Sequence, residues 1–220
     1  MLTIWGRKNS SNVMPVLWTA DELSLTYDHK MVGGSFGGIN TDTFKAMNPN
    51  MRVPVLQDGD FTLYESNAIV RHLARAHGQG SLLPDNLQEQ AHADQWLDWH
   101  KTTLTGPMID LFWRTVRCEP DQRNPDLIAQ AKVATEKALA LLDAHLAGRD
   151  FMVMDRLTIA DIPLGTLIYR YYNIQVDHQD FKNIKAWYAR LQDRPAYRKN
   201  VMIPFGTTLA EWDKLERSLV

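Results

Sequence analysis

Two hydrophobic rhythms divide the chain. Over about the first 80 residues, short runs with strand character alternate with helical ones. Residues 2–5 (LTIW) read as a strand, and 11–23 show helical spacing at Val13, Val16, Leu17 and Ala20. Pro15 falls in the first turn of that helix, where its missing N–H costs little. Residues 25–32 read as a second strand, and 41–49 as a short helix stopped before Pro49. Residues 54–64 (PVLQDGDFTLY) give two strands around Asp58-Gly59, a hairpin signal. Residues 65–78 form an amphipathic helix with Ser66 as expected N-cap and Gly78 as its stop. The order βαβαββα predicts a small mixed sheet with helices on it.

Residues 78–88 are rich in Gly, Pro and polar side chains and read as a linker, after which strand signals cease. Helical periodicity covers 88–113, 125–147, 158–172, 182–193 and 207–218. The expected class is therefore α/β plus all-α. A thioredoxin-like domain spans 1–79, a linker 80–87 and a helical domain 88–220. Within the latter, Thr158 and Asp161 form a capping-box variant, with Leu157 and Ile162 at the staple positions. This reads as a folding device.

Proline inside a strand pattern is unusual, because it removes a ladder donor, yet Pro54 stands between Val53 and Val55. If the Val53–Pro54 bond is cis, the chain bends and the Val53 backbone N–H and C=O turn outward. An extended peptide-like ligand can then pair with them as an added strand. Just beyond the hairpin, the helix N-terminus at Ser66 suits an anion, and Glu65 suits an ammonium. Together these groups describe a small zwitterionic peptide.

Composition narrows the field. Of 220 residues 45% are hydrophobic, enough for a sizeable core, and the net charge of −2 gives no electrostatic case for nucleic acid or an anionic membrane. Cys118 is the only cysteine, so an intramolecular disulfide is excluded and a reducing compartment fits. No segment reads as a signal peptide or membrane span, so the expected location is cytoplasmic. The glycine-rich GGSFGG (33–38) fits neither a dinucleotide nor a phosphate-binding loop and reads as a flexible excursion. The histidines lack metal-ligand spacing, and no metal is expected.

The VPVL and YESNAIVRHLA motifs, the linker near residue 80 and the LTIADI box together resemble the cytosolic glutathione transferases, in an order that covers nearly the whole chain. The resemblance implies a cis proline and pairing of the Val53 backbone with the cysteinyl part of glutathione. It implies that Glu65 and Ser66 bind the γ-glutamyl end. Arg52 matches a basic position near the glycine carboxylate, and Asn40 is a weaker candidate for the same group. The resemblance also implies a thiol-activating position in the loop after the first strand, here GRKNSSNV (6–13). Aligning Val16 with the family's first helix puts Ser10 at the usual serine or cysteine site. Asn12 ranks second and Ser11 third, each also a natural helix N-cap.

The helical domain is expected to line the electrophile pocket through Trp113, Arg117, Tyr169 and Phe205. An arginine at 114 or 117 facing the cleft would favour an anionic electrophile. The resemblance also implies a homodimer, with Asp94 or Asp98 of one subunit reaching the glutathione amine of the other. The expected activity is transfer of glutathione to a small electrophile. The alternatives are glutathione-dependent reduction of a peroxide, disulfide or halogenated acid, and a non-catalytic glutathione-binding module.

Overall fold

The computed structural model describes residues 1–219. The first part runs β1 (Leu2–Trp5), α1 (Met14–Glu22), β2 (Tyr27–Lys30), α2 (Asp42–Met47), β3 (Val55–Asp58), β4 (Phe61–Tyr64) and α3 (Ser66–His77). The second part runs α4 (Leu87–Trp99), α5 (Thr105–Thr115), α6 (Pro125–His145) and α7 (Asp161–Asn173). It ends with α8 (Lys182–Gln192), α9 (Pro195–Asn200) and α10 (Leu209–Arg217). The fold is thus a mixed sheet with helices followed by an all-helical part, as the hydrophobic rhythm predicts.

The sheet order is β2-β1-β3-β4. β1 and β2 are parallel, which requires a crossover, and α1 supplies it. β3 pairs antiparallel with both β1 and β4. Asp58 pairs with Phe61, so the two turn residues are Gly59 and Asp60. Gly59 takes φ 59°, the left-handed geometry that such a tight turn demands of its first residue. The Val53–Pro54 bond is cis.

α1 joins the two halves. Val16, Leu17 and Trp18 are fully or almost fully buried. The Trp18 ring meets Tyr197 of α9 edge-on at 4.7 Å. Arg194 grips Glu22 through Nε at 2.7 Å and Nη2 at 2.6 Å. At Gly165 of α7 an added Cβ would lie 2.7 Å from Leu191 Cδ1 and 3.1 Å from Trp18 Cζ3. Gly165→Ala is therefore expected to destabilise the fold by about 2 kcal/mol through overpacking. Thermal melting followed by circular dichroism should show a midpoint lower by about 4–8 °C.

Five local points differ from expectation. The helix expected over 88–113 is two, joined by a π-helical turn at His100–Leu104, because i→i+5 bonding is invisible to a 3.6-residue pattern. α9 escaped notice because it is only six residues long. Ser66 is the first residue of α3 and not its cap; Glu65 precedes it with φ 71°. The segment 33–38 holds a short 3₁₀ turn at Gly34–Phe36, and the Ser35 N–H donates to Glu216 Oε2 of α10 at 2.9 Å. The C-terminal helix thus anchors the glycine-rich loop. The capping box forms in part: Thr158 N–H donates to Asp161 Oδ2 at 2.9 Å. The Thr158 hydroxyl donates to that same oxygen at 3.1 Å and does not accept from the Asp161 N–H.

Candidate active site

A cavity of about 560 Å³ opens between the sheet-containing part and the helical part. One wall comes from the β1–α1 loop with Arg7, Ser10, Ser11 and Asn12. A second comes from Arg52, Val53 and Pro54 before β3, and from Glu65 and Ser66 at the start of α3. The third comes from the helical part: Lys101 and Thr105 around the π turn, then Ile109, Phe112, Trp113, Arg117, Arg170 and Trp212. The sequence-derived candidates Ser10, Ser11, Asn12, Arg52, Val53, Pro54, Glu65, Ser66, Trp113 and Arg117 are thus brought to one cleft.

The remaining candidates lie elsewhere. Asn40 is exposed, and its neighbour Ile39 lines the cavity instead. Tyr169 and Phe205 are buried against each other, ring centroids 5.9 Å apart. Phe205 also packs on Phe112 at 5.1 Å, so this pair forms the layer behind the cavity wall. A helical stripe in sequence does not say whether the next layer is ligand or core. Asp94 and Asp98 are held within the subunit by Arg71 of α3, at 2.6 Å and 2.5 Å.

Local geometry explains the β1–α1 loop. The Ser10 carbonyl accepts from Val13 and Met14 N–H at 2.9 Å each and so starts α1. No side chain caps α1, which leaves Ser10, Ser11 and Asn12 free of the capping role that their residue types suggest. Ser10 is buried, its Oγ accepting from Asn12 N–H at 3.4 Å. Lys101 Nζ donates to Asn12 Oδ1 at 3.0 Å. An ammonium only donates, so the Asn12 oxygen must face it and the amide N–H₂ must point away. Burial lowers the Lys101 ammonium below its usual range while Glu65 pulls it back up.

Next to Lys101, His100 is buried and pushed down to about 3, mainly by desolvation, so its imidazole is neutral. Thr105, the first residue of α5, donates its hydroxyl to the His100 carbonyl at 2.6 Å. π turns recur at functional sites because they re-aim side chains on one helix face. Here Lys101 in the turn and Thr105 just after it both line the cavity.

Glu65 has a left-handed φ of 71° that a non-glycine residue adopts at a cost of about 1–3 kcal/mol. No side chain caps α3 behind it, so its first-turn N–H groups remain for a ligand.

Sequence reasoning missed Arg7, Lys101, Phe112, Arg170 and Trp212. Arg170 had a readable signal, as the lone charge within the apolar run 162–172. Among the described residues, no three His, Cys, Asp or Glu side chains gather to hold a metal ion. None of the described helices is long and apolar enough to cross a membrane.

Comparison with known proteins agrees with this geometry. The family model for the glutathione S-transferase N-terminal domain matches residues 1–75, and that for the C-terminal domain matches residues 104–195. The chain is 41% identical to glutathione S-transferase GstB of Escherichia coli K12, over 93% of this chain and 99% of the relative. It is 28% identical to glutathione S-transferase 4 of Zea mays, over 89% and 90%. Among solved structures, the theta-class glutathione S-transferase of Xanthomonas axonopodis pv. citri with glutathione bound superposes with a TM-score of 0.90. It is 43% identical, over 93% of this chain and 99% of that one. A cis proline before β3, a strained acidic residue opening α3 and a helical wall facing them thus stand in a chain that belongs to the cytosolic glutathione transferase family.

Proposed function

We propose that the chain binds glutathione in this cavity and transfers it, as thiolate, to a small electrophile. The observation that carries the reading is the convergence of Val53, Glu65 and Ser66 with Ser10, Asn12 and Lys101 on one cleft. The Val53 backbone pairs with the cysteinyl unit, Glu65 holds the ammonium and Ser66 the carboxylate of the γ-glutamyl end, and Arg52 attracts the glycine carboxylate. The sheet-containing part, with Lys101 of the helical part, serves glutathione, and the rest of the helical wall serves the electrophile.

A thiol of pKa about 8.5 is only about 3% ionised at pH 7. Lowering it by about 2 units needs about 2.7 kcal/mol. One hydrogen bond to the anion contributes about 1.5–3 kcal/mol, and the α1 N-terminus about 0.3–1. Asn12 is the better-placed donor, because Lys101 fixes its amide N–H₂ away from the ammonium; Ser10 is the second. Neither acts as a nucleophile. The sulfur attacks the electrophilic carbon, the S–C bond forms, and the leaving group departs with its electron pair. Cys118 is not among the residues lining the cavity, which favours conjugation over a mixed disulfide with the protein.

Ser66→Ala is expected to weaken glutathione binding about tenfold, equivalent to about 1.4 kcal/mol. Isothermal titration with glutathione checks it, and unchanged affinity would remove Ser66 from the γ-glutamyl site. We further infer a homodimer acting in the cytoplasm, which family membership and the lone cysteine support.

A further inference from the structure

Glutathione brings two carboxylates and, when ionised, a thiolate, against one ammonium. The cavity offers more positive charge than that needs. Arg7, Arg52, Lys101, Arg117 and Arg170 line it, against the single lining carboxylate of Glu65. Arg7 is already neutralised by Glu216, Nε to Oε1 at 2.9 Å. Arg52 and Lys101 stand with the residues assigned to glutathione. Arg117 and Arg170 are left over, and neither has an acidic partner within the described residues.

Both are built into the helical wall. Arg170 is 4% exposed, and its one side-chain hydrogen bond runs from Nη2 to the Asn9 carbonyl at 2.7 Å. Its buried Nε has no partner, and neither has the buried Nε of Arg117. The Arg170 guanidinium lies over Phe112 at 4.3 Å and near Trp212 at 5.8 Å. Arg117 lies over Trp113 at 4.7 Å and Trp212 at 5.0 Å. Trp212 thus lies near both guanidinium groups. Burial, with Arg7 and Arg117 close by, pushes Arg170 down to about 9. Two guanidinium groups with unmet donors, sharing one aromatic wall, are the arrangement that an oxyanion completes.

We propose that the electrophile is an organic acid, its carboxylate bound between Arg117 and Arg170 and its apolar body laid against Trp113, Ile109 and Trp212. This rests on the placement of glutathione in the other half of the cleft. The carboxylate anchors the substrate so that its electrophilic carbon faces the thiolate; displacement forms the S–C bond and releases the leaving group with its electron pair. Arg117 and Arg170 touch the substrate and do not touch glutathione.

The test uses 4-methylbenzoate and its neutral isostere 4-methylbenzamide as unreactive probes. Each is titrated calorimetrically into the free protein and into protein saturated with S-methylglutathione. The benzoate is expected to bind at least tenfold more tightly than the benzamide in both states. Arg117→Gln should cut benzoate affinity at least tenfold and leave benzamide and S-methylglutathione affinities unchanged. Arg170→Gln should do the same wherever circular dichroism shows it folded, and Arg117→Gln, on a less buried side chain, decides the matter otherwise. Equal affinity for the two probes, indifference to Arg117→Gln, or displacement of benzoate by S-methylglutathione would overturn the proposal. If benzoate binds as expected but S-methylglutathione does not, the anion site stands and the glutathione reading falls.

Discussion

Asp161→Ala is expected to be among the most damaging single changes to stability, costing about 4 kcal/mol and about 8–16 °C in melting temperature. Asp161 is fully buried at the start of α7. Its Oδ1 accepts from the Met152 N–H at 2.9 Å and from Trp187 Nε1 at 2.9 Å. Its Oδ2 accepts from the Thr158 N–H and hydroxyl. Burial raises its carboxyl to about 6 against the pull of these donors, which leaves it ionised at neutral pH. Removing the carboxylate strands four donors in the interior, each of which costs when left unmet. Asp161→Asn should be nearly as harmful, since an amide turns one N–H₂ toward two of those donors. Chemical denaturation measures both; a loss below about 1 kcal/mol for Asp161→Ala would show that the α7 start repacks without its acceptor.

The second large effect is on catalysis. Lys101→Met keeps the aliphatic stem but removes the ammonium that fixes Asn12 Oδ1. The Asn12 amide is then free to rotate, and the cavity loses a cation beside the thiolate. We expect kcat/KM to fall about 30-fold, equivalent to about 2 kcal/mol of transition-state stabilisation. The acid limb of the kcat/KM–pH profile should move to higher pH, because less of the bound thiol is ionised at any given pH. Lys101→Arg should restore part of the rate, as the guanidinium also donates to Asn12. A rate loss with no movement of the pH profile would make Lys101 a packing residue only.

How much of this was readable before the structure depends on the range over which each feature is encoded. The half of the cleft assigned to glutathione is written locally. Val53-Pro54 interrupts a strand, and Glu65-Ser66 opens an amphipathic helix, so both stand out in a window of a few residues. The fold class is equally local, because strand alternation gives way to helical spacing once, near residue 80. The electrophile half is written in packing. Trp113 and Tyr169 carry similar aromatic signals, yet one lines the cavity and the other is buried behind it against Phe205. Only the crossing of α5, α7 and the segment before α10 decides which. Lys101 was hidden for a different reason. The π turn at His100–Leu104 interrupts the 3.6-residue register, so one unbroken wheel over 88–113 does not hold at its position. Arg170 shows a signal that periodicity undervalues, a single charge inside an otherwise apolar helix, which requires a partner from elsewhere in the fold or from a ligand.

The central claim is that the cleft ionises glutathione, and the direct measurement is the ultraviolet thiolate absorbance of bound glutathione as a function of pH. It should be made on the unaltered protein, on Asn12→Ala and on Ser10→Ala. The account predicts a bound thiol pKa about two units below 8.5 in the unaltered protein. It predicts a rise of more than one unit in Asn12→Ala and a smaller rise in Ser10→Ala. A bound thiol that titrates near 8.5 in the unaltered protein, or no thiolate signal with glutathione in excess, would contradict it.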